Sequence, residues 1–273
     1  MRFFGVIATV FALLAGAVGA DESSALKKLL TGDDSRGWDA VGRLNFGGRA
    51  FCTGALIAPD LVLTAAHCLF ENGSGRLFKP NEIEFLAGWR NGRATAQSNI
   101  RRAIPHPNFV YQEDDRAMRV AFDLALLQLS QPVRKSSVTP FATESRPRKG
   151  AEVGVVSYGR GRAESPSLQD VCHVLARRSG TLVLSCDVDF GSSGAPIFTV
   201  DEDGEARIVS VISAKAEISG RDVSLGTRLE KPLADLMALM AHAEDTPEQT
   251  TTGVRVLNLG NSGAGNGAKF VRP

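Results

Sequence analysis

Residues 51–68 read FCTGALIAPDLVLTAAHC. Two apolar runs of strand length, FCTGALIA (51–58) and LVLTAA (61–66), flank the breaker pair Pro59-Asp60, and His67 and Cys68 close the stretch. Short runs bounded by Pro, Gly, Asn and Asp signal β-strands rather than helices. The same pattern extends in both directions from Trp38 to Leu229, in EIEFLAGW (82–89), FDLALLQL (122–129), EVGVVSY (152–158), VCHVLA (171–176), TLVLSC (181–186), APIFTV (195–200) and ARIVSVIS (206–213). GRLNFGGRAF (42–51) and DEDGEA (201–206), with glycines between apolar runs, read as hairpins. Many short strands at regular spacing argue for an all-β barrel or sandwich.

The ends of the 273-residue chain differ from this middle. Met1 to Ala20 carries one charge, Arg2, then a long apolar run closed by small residues at Val18-Gly19-Ala20. That is the pattern of a secretory signal peptide cleaved after Ala20. Residues 21–36 are polar, with a short helical stripe at Leu26, Leu29 and Leu30, and read as a leader or propeptide. Leu233, Leu236, Met237 and Met240 recur at helical spacing between Pro232 and Glu244, with Pro232 suited to a first helical turn. Residues 245–273 are rich in Thr, Gly and Asn and read as a flexible tail, with one small apolar group at Val254, Val256 and Leu257.

Composition narrows the function classes. Hydrophobic residues make up 43% and charged residues 22%, ordinary globular usage that excludes disorder throughout. Lys and Arg number 31 against 30 Asp and Glu, so no basic footprint points to nucleic acid or an anionic membrane. Loss of Arg2 with the signal peptide makes the mature balance even. In an exported chain the four cysteines should pair. Neither an HExxH nor a CxxC motif is present, so no metal or cofactor is expected.

Three motifs carry chemistry: Thr64-Ala65-Ala66-His67-Cys68, Asp123-Leu124-Ala125-Leu126-Leu127 and Gly191-Ser192-Ser193-Gly194-Ala195-Pro196. Histidine, carboxylate and serine are the groups that nucleophilic acyl transfer needs. A serine hydroxyl is a weak nucleophile until an imidazole takes its proton, and a buried carboxylate fixes the imidazole tautomer. Glycines beside the serine let the backbone turn sharply and present N–H groups to an oxyanion. Asp114 and Asp115, in YQEDDR (111–116), read as a solvated charge run, whereas Asp123 opens an apolar strand and is placed for burial. His106, in IPHPNF (104–109), and His173 and His242 read as structural.

Together these motifs resemble the chymotrypsin/trypsin-like serine proteases, more closely their bacterial secreted, glutamyl-endopeptidase-like branch than the animal digestive trypsins. The resemblance spans about Trp38 to Glu244. It implies two six-stranded antiparallel β-barrels, residues 37–140 and 141–244, with a C-terminal helix in the second unit and the site in the cleft between them. It implies a secreted endopeptidase acting on protein or peptide substrates, with His67 as general base, Asp123 as orienting carboxylate and Ser193 as nucleophile. The Gly-x-Ser-Gly register selects Ser193 over Ser192. Gly191 and Ser193 would supply the oxyanion hole, and Ser213 would support the aspartate and start the edge that substrate joins as a strand. In the family a pair at Cys52 and Cys68 braces the histidine loop, which leaves Cys172 with Cys186.

Two departures matter. Animal trypsin-like members carry aspartate where this chain has Ser192, and the usual Ile-Val-Gly-Gly start is missing before Trp38, so activation by a freed N-terminal amine is in doubt. Asp187, six residues before Ser193, has the spacing of the carboxylate that receives Lys or Arg, but the segment lacks the family's cysteine near that pocket and Asp189 is a rival. Lys215 would neutralise a carboxylate or itself receive an acidic side chain, so basic, acidic and neutral preferences all stay open. Two other classes compete with an enzyme: a non-catalytic protease homologue acting as a secreted binding protein, and a structural or adhesive β domain.

Overall fold

The computed structural model describes residues 23–144, 147–178 and 180–245. The signal peptide and nearly all of the tail, with its apolar group at 254–257, lie outside the described residues. Twelve strands build the core. The first six are β1 (Val41–Phe46), β2 (Ala50–Ala58), β3 (Leu61–Thr64), β4 (Ile83–Ala87), β5 (Ala96–Pro105) and β6 (Ala125–Leu129). The second six are β7 (Glu152–Gly159), β8 (Arg162–Arg178), β9 (Thr181–Leu184), β10 (Pro196–Val200), β11 (Ala206–Ile218) and β12 (Arg221–Arg228).

Each set closes into an antiparallel barrel. The first runs β1-β2-β3-β6-β5-β4 and returns to β1. The second runs β7-β8-β9-β12-β11-β10 and returns to β7. The two halves therefore share one topology, which no repeat in the sequence announces. Closure leaves no bare sheet edge within either barrel. Trp38, Phe141 and Phe198 join the halves: the Trp38 and Phe198 rings meet edge to face at 5.0 Å, and Phe141 and Phe198 are 4.7 Å apart.

Three sequence expectations change. Residues 23–29 do not form a helix. They run extended along β8, where Lys27 and Lys28 pair with Leu168 and Ser167 and Leu29 is buried in the core. The Leu26/Leu29/Leu30 spacing misleads because neighbouring backbone on β8 takes up this segment's hydrogen bonds. YQEDDR ends in a helix start: Asp115 caps α1 (Arg116–Ala121) by accepting the N–H groups of Ala117 and Met118. The C-terminal helix α2 (Glu230–Asp245) begins two residues earlier than expected; Leu236 and Met240 are buried, while Met237 faces solvent.

His106 sits beneath α2, stacked on Phe122 at 5.0 Å, and is essentially inaccessible. Its Nδ1 accepts the Asn108 N–H, so the neutral ring carries its proton on Nε2, 3.7 Å from Asp235 Oδ2. Burial lowers the His106 pKa, against the pull of Asp235. A group with a depressed folded pKa contributes stability that is present above its unfolded pKa, about 6.5, and lost as pH falls below it. The thermal midpoint should therefore drop between about pH 7.5 and pH 5.5, and His106→Gln should flatten that drop.

Candidate active site

His67 lies in the single 3₁₀ turn Ala66–Leu69 that ends β3. The Cys52–Cys68 disulfide ties this turn to β2, and Ala65 and Ala66 beneath it are fully buried. Asp123 sits between α1 and β6. Its carboxylate, almost wholly buried, accepts the His67 backbone N–H at 2.8 Å, His67 Nδ1 at 2.6 Å and the Ser213 hydroxyl. A carboxylate has no proton to give, so Nδ1 carries the hydrogen and the Nε2 lone pair is left for chemistry. His67 keeps about a quarter of its side chain open to solvent.

Ser193 sits in the loop between β9 and β10, whose backbone is held at every turn. Ser192 N–H donates to Asp189 O, Ala195 N–H to Ser192 O and Gly194 N–H to Ile212 O. Gly191 and Gly194 have φ of 95° and 78°, in the region side chains disfavour. Any Cβ would also strike Phe51 from Gly191, or Thr64 Oγ1 and Thr53 O from Gly194. The second disulfide, Cys172–Cys186, staples β8 to the start of the same loop.

Ser193 lines two cavities at once. One, of about 280 Å³, is formed by Val188, Asp189, Phe190, Ile212, Ser213, Ala214 and Lys215. The other, of about 550 Å³, holds His67, the Cys52–Cys68 bridge, Phe51 and Gly191. His67 and Ser193 both line this second cavity, and Nε2 rests 3.9 Å from Cys68 Sγ. Cys52, His67 and Cys68 also cluster within 4.8 Å, but both sulfurs are spent in one disulfide and offer no thiolate to a metal.

The candidate specificity residues are divided between two cavities. Asp187 is exposed and lies outside the cavity that contains Ser193, in an adjacent one with Cys186, Lys215 and Asp222. The reason is local: Asp187 N–H is anchored to Gln169 Oε1 on β8, and two residues further on the loop carries Asp189 into the Ser193 cavity. Lys215 stands between the two cavities, ion-paired to Asp222 at 2.9 Å. That hydrogen bond raises the Lys215 pKa, and Asp187 and Asp189 add to it.

Sequence reasoning passed over three supporting residues. Thr53 joins the barrels: its N–H donates to Ser193 O at 2.9 Å, its hydroxyl donates to Gly191 O at 2.9 Å, and that hydroxyl accepts the Tyr158 N–H at 3.0 Å. Thr227 donates to Val120 O and Asp123 O, fixing the turn that delivers Asp123. Arg162 Nη2 donates to Ser192 Oγ at 2.8 Å. For Thr53 the signal is a polar residue inside a strand-like run, which spacing cannot interpret; Thr227 and Arg162 lie outside the apolar runs.

These features are those of one family. A model of the trypsin-like peptidase domain matches residues 52–208, more than half of the chain, and the chain belongs to that family. Human serine protease 56 is 31% identical over 141 residues, covering 49% of this chain and 21% of that protein. Human transmembrane protease serine 7 is 33% identical over 147 residues, covering 50% of this chain and 16% of its own length. The chain thus spans about a fifth or less of the curated relatives it matches. A solved structure of a Glu endopeptidase in complex with MPD superposes with a TM-score of 0.62 at 17% identity, over 82% of this chain and 98% of that one, a likeness of fold.

Thr53→Val keeps the side-chain shape and removes the hydroxyl, leaving the buried Tyr158 N–H without its acceptor. Urea denaturation should show a loss of about 1–3 kcal/mol. Turnover per folded molecule should fall as well, because the Gly191 carbonyl loses its anchor.

Proposed function

We propose that this protein is an exported serine endopeptidase that hydrolyses peptide bonds through an acyl-enzyme on Ser193. The observation that carries this reading is the buried Asp123 carboxylate with its three donors, which fixes His67 at the cavity that Ser193 lines. Ser193 Oγ attacks the scissile carbonyl carbon while its proton passes to His67 Nε2. The resulting oxyanion lies at the N–H groups of Gly191 and Ser193. The tetrahedral intermediate collapses as the C–N bond breaks and Nε2 returns its proton to the leaving amine. Water then repeats the sequence on the ester, with His67 again base and then acid. Asp123 stays ionised and stabilises the imidazolium.

Because the leaving amine takes its proton from His67, the chain beyond the scissile bond runs through the larger cavity. The acyl side pairs with β11 from Ser213 onward and places its side chain in the smaller cavity. Asp189 there, with Asp187 close by and Lys215 ion-paired to Asp222, favours Lys or Arg as that side chain. Export is supported by the signal-like first twenty residues and by the two disulfides. No helix among the described residues is long and apolar enough to cross a membrane.

A fluorophosphonate probe should label the mature protein at Ser193, read by mass spectrometry, and Ser193→Ala should abolish labelling while folding is retained. Absence of labelling in folded wild-type protein would leave the binding-protein alternative in its place. Profiling on a peptide library should show preference for Lys or Arg at the cleaved position. Asp189→Asn should lower kcat/KM for those substrates about tenfold or more, the loss of roughly 1.4 kcal/mol of differential binding.

A further inference from the structure

Ser192 raises a question of charge. Its hydroxyl is fully buried directly beside the nucleophile, and none of its hydrogen-bond partners is a carboxylate that would receive a newly freed ammonium. Its hydrogen-bonding capacity is nevertheless full. Oγ donates to Tyr158 O at 3.1 Å and accepts from Asp189 N–H at 3.3 Å and from Arg162 Nη2 at 2.8 Å. A hydroxyl has one proton and two lone pairs, so nothing remains for a further partner.

The hairpin of β7 and β8 places the cation. Arg162 pairs with Gly159 across the hairpin, and its guanidinium lies flat against that glycine, where a Cβ would stand 2.8 Å from Cζ. Nη1 donates to Ser157 O and Ser157 Oγ, and Nη2 continues to Ser192. No carboxylate lies within 4.0 Å of Arg162 among the described residues, so its fork is spent on neutral oxygens of β7 and the nucleophile loop. The turn of the hairpin grips the same loop from outside: Arg160 N–H donates to Phe190 O at 2.8 Å, and the Arg160 guanidinium covers the Phe190 ring at 4.3 Å. Residues on both sides of Gly191 are therefore fastened to one hairpin.

The segment ahead of β1 is equally settled. Lys27–Lys28 adds to β8, Leu29 is buried, and Arg90 holds Ser35 and Asp39 through Nη1. Trp38 N–H already donates to Ser35 O at 2.8 Å. Cleavage at the exposed Arg36 would thus release an amine with no vacant acceptor at Ser192.

We propose that the Arg162 guanidinium is a built-in cation that holds the oxyanion loop in working form, so that Ser193 is competent in the chain still carrying residues 23–36, with no cleavage at Arg36 needed to switch it on. The proposal rests on the peptidase reading above and assigns Arg162 as a positioning residue, since it acts through Ser192.

The test uses the chain from residue 21 onward as wild type, Arg162→Met, Arg162→Lys, Gly159→Ala and Arg36→Gln. Probe-labelling rate at Ser193, kcat, KM and the thermal midpoint are measured for each, with rates normalised to folded protein. Arg162→Met should lose about 10²-fold in kcat with KM changed less than about threefold, the scale of losing one oxyanion donor. Arg162→Lys should recover part of that loss. Gly159→Ala keeps the charge but displaces the guanidinium from its hydrogen bonds, and should lower kcat per folded molecule. Arg36→Gln should label at the wild-type rate, with residues 23–36 shown intact by mass spectrometry. Wild-type rates in folded Arg162→Met or Gly159→Ala, or labelling that begins only after cleavage at Arg36, would overturn the inference and leave the peptidase reading standing. An unlabelled wild type, cleaved or intact, would remove both.

Discussion

The carboxylate of Asp123 is a buried negative charge, and the arrangement around the cleft answers to it. An ion taken out of water is costly unless its lone pairs are met by donors. Here the donors come from both barrels: the His67 backbone and ring from the turn after β3, and the Ser213 hydroxyl from β11. Thr227, on β12, shares its hydroxyl proton between Val120 O and the carbonyl of Asp123 itself. Removing either barrel would strip this charge of part of its solvation, so orientation of the histidine and docking of the two halves are one requirement.

A second network mirrors the first on the serine side, built from neutral groups and one cation. Thr53 of the first barrel takes hold of Gly191 and Ser193 through their carbonyls, Tyr158 connects Thr53 to Ser192, and Arg162 closes the circuit. Burial pushes the Tyr158 phenol pKa up, and its hydroxyl donates to Trp89 O, so the ring serves as a neutral strut between barrels. Burial also lowers the Arg162 pKa, while Asp187 and Asp189 oppose that shift. The loop that bears Ser193 is thereby tied to rigid strands, which suits preorganised donors.

Legibility in the sequence followed the density of apolar residues. Runs such as LVLTAA and APIFTV lie in β3 and β10 with their ends shifted by a residue or two. AQSNIRRAIP and RDVSLGTR, which form β5 and β12, give no apolar run because half or more of their side chains are polar. They are strands because barrel closure gives their backbones partners on both sides. The segment at 23–29 misled for the opposite reason: leucines at helical spacing suggested a helix, and an available strand on β8 outweighed that weak local preference.

By itself the sequence determined the strand-rich middle, the three motifs around His67, Asp123 and Ser193, and the resemblance they carry, because those signals are short and local. Tertiary structure alone decided that both halves share one topology and that Asp189 rather than Asp187 enters the cavity beside Ser193. It also decided that Ser192 is served by Arg162, thirty residues away in the chain. Each of those outcomes depends on strand register and on which buried donors find which acceptors, and these are relations between distant segments that no stretch of residues states alone.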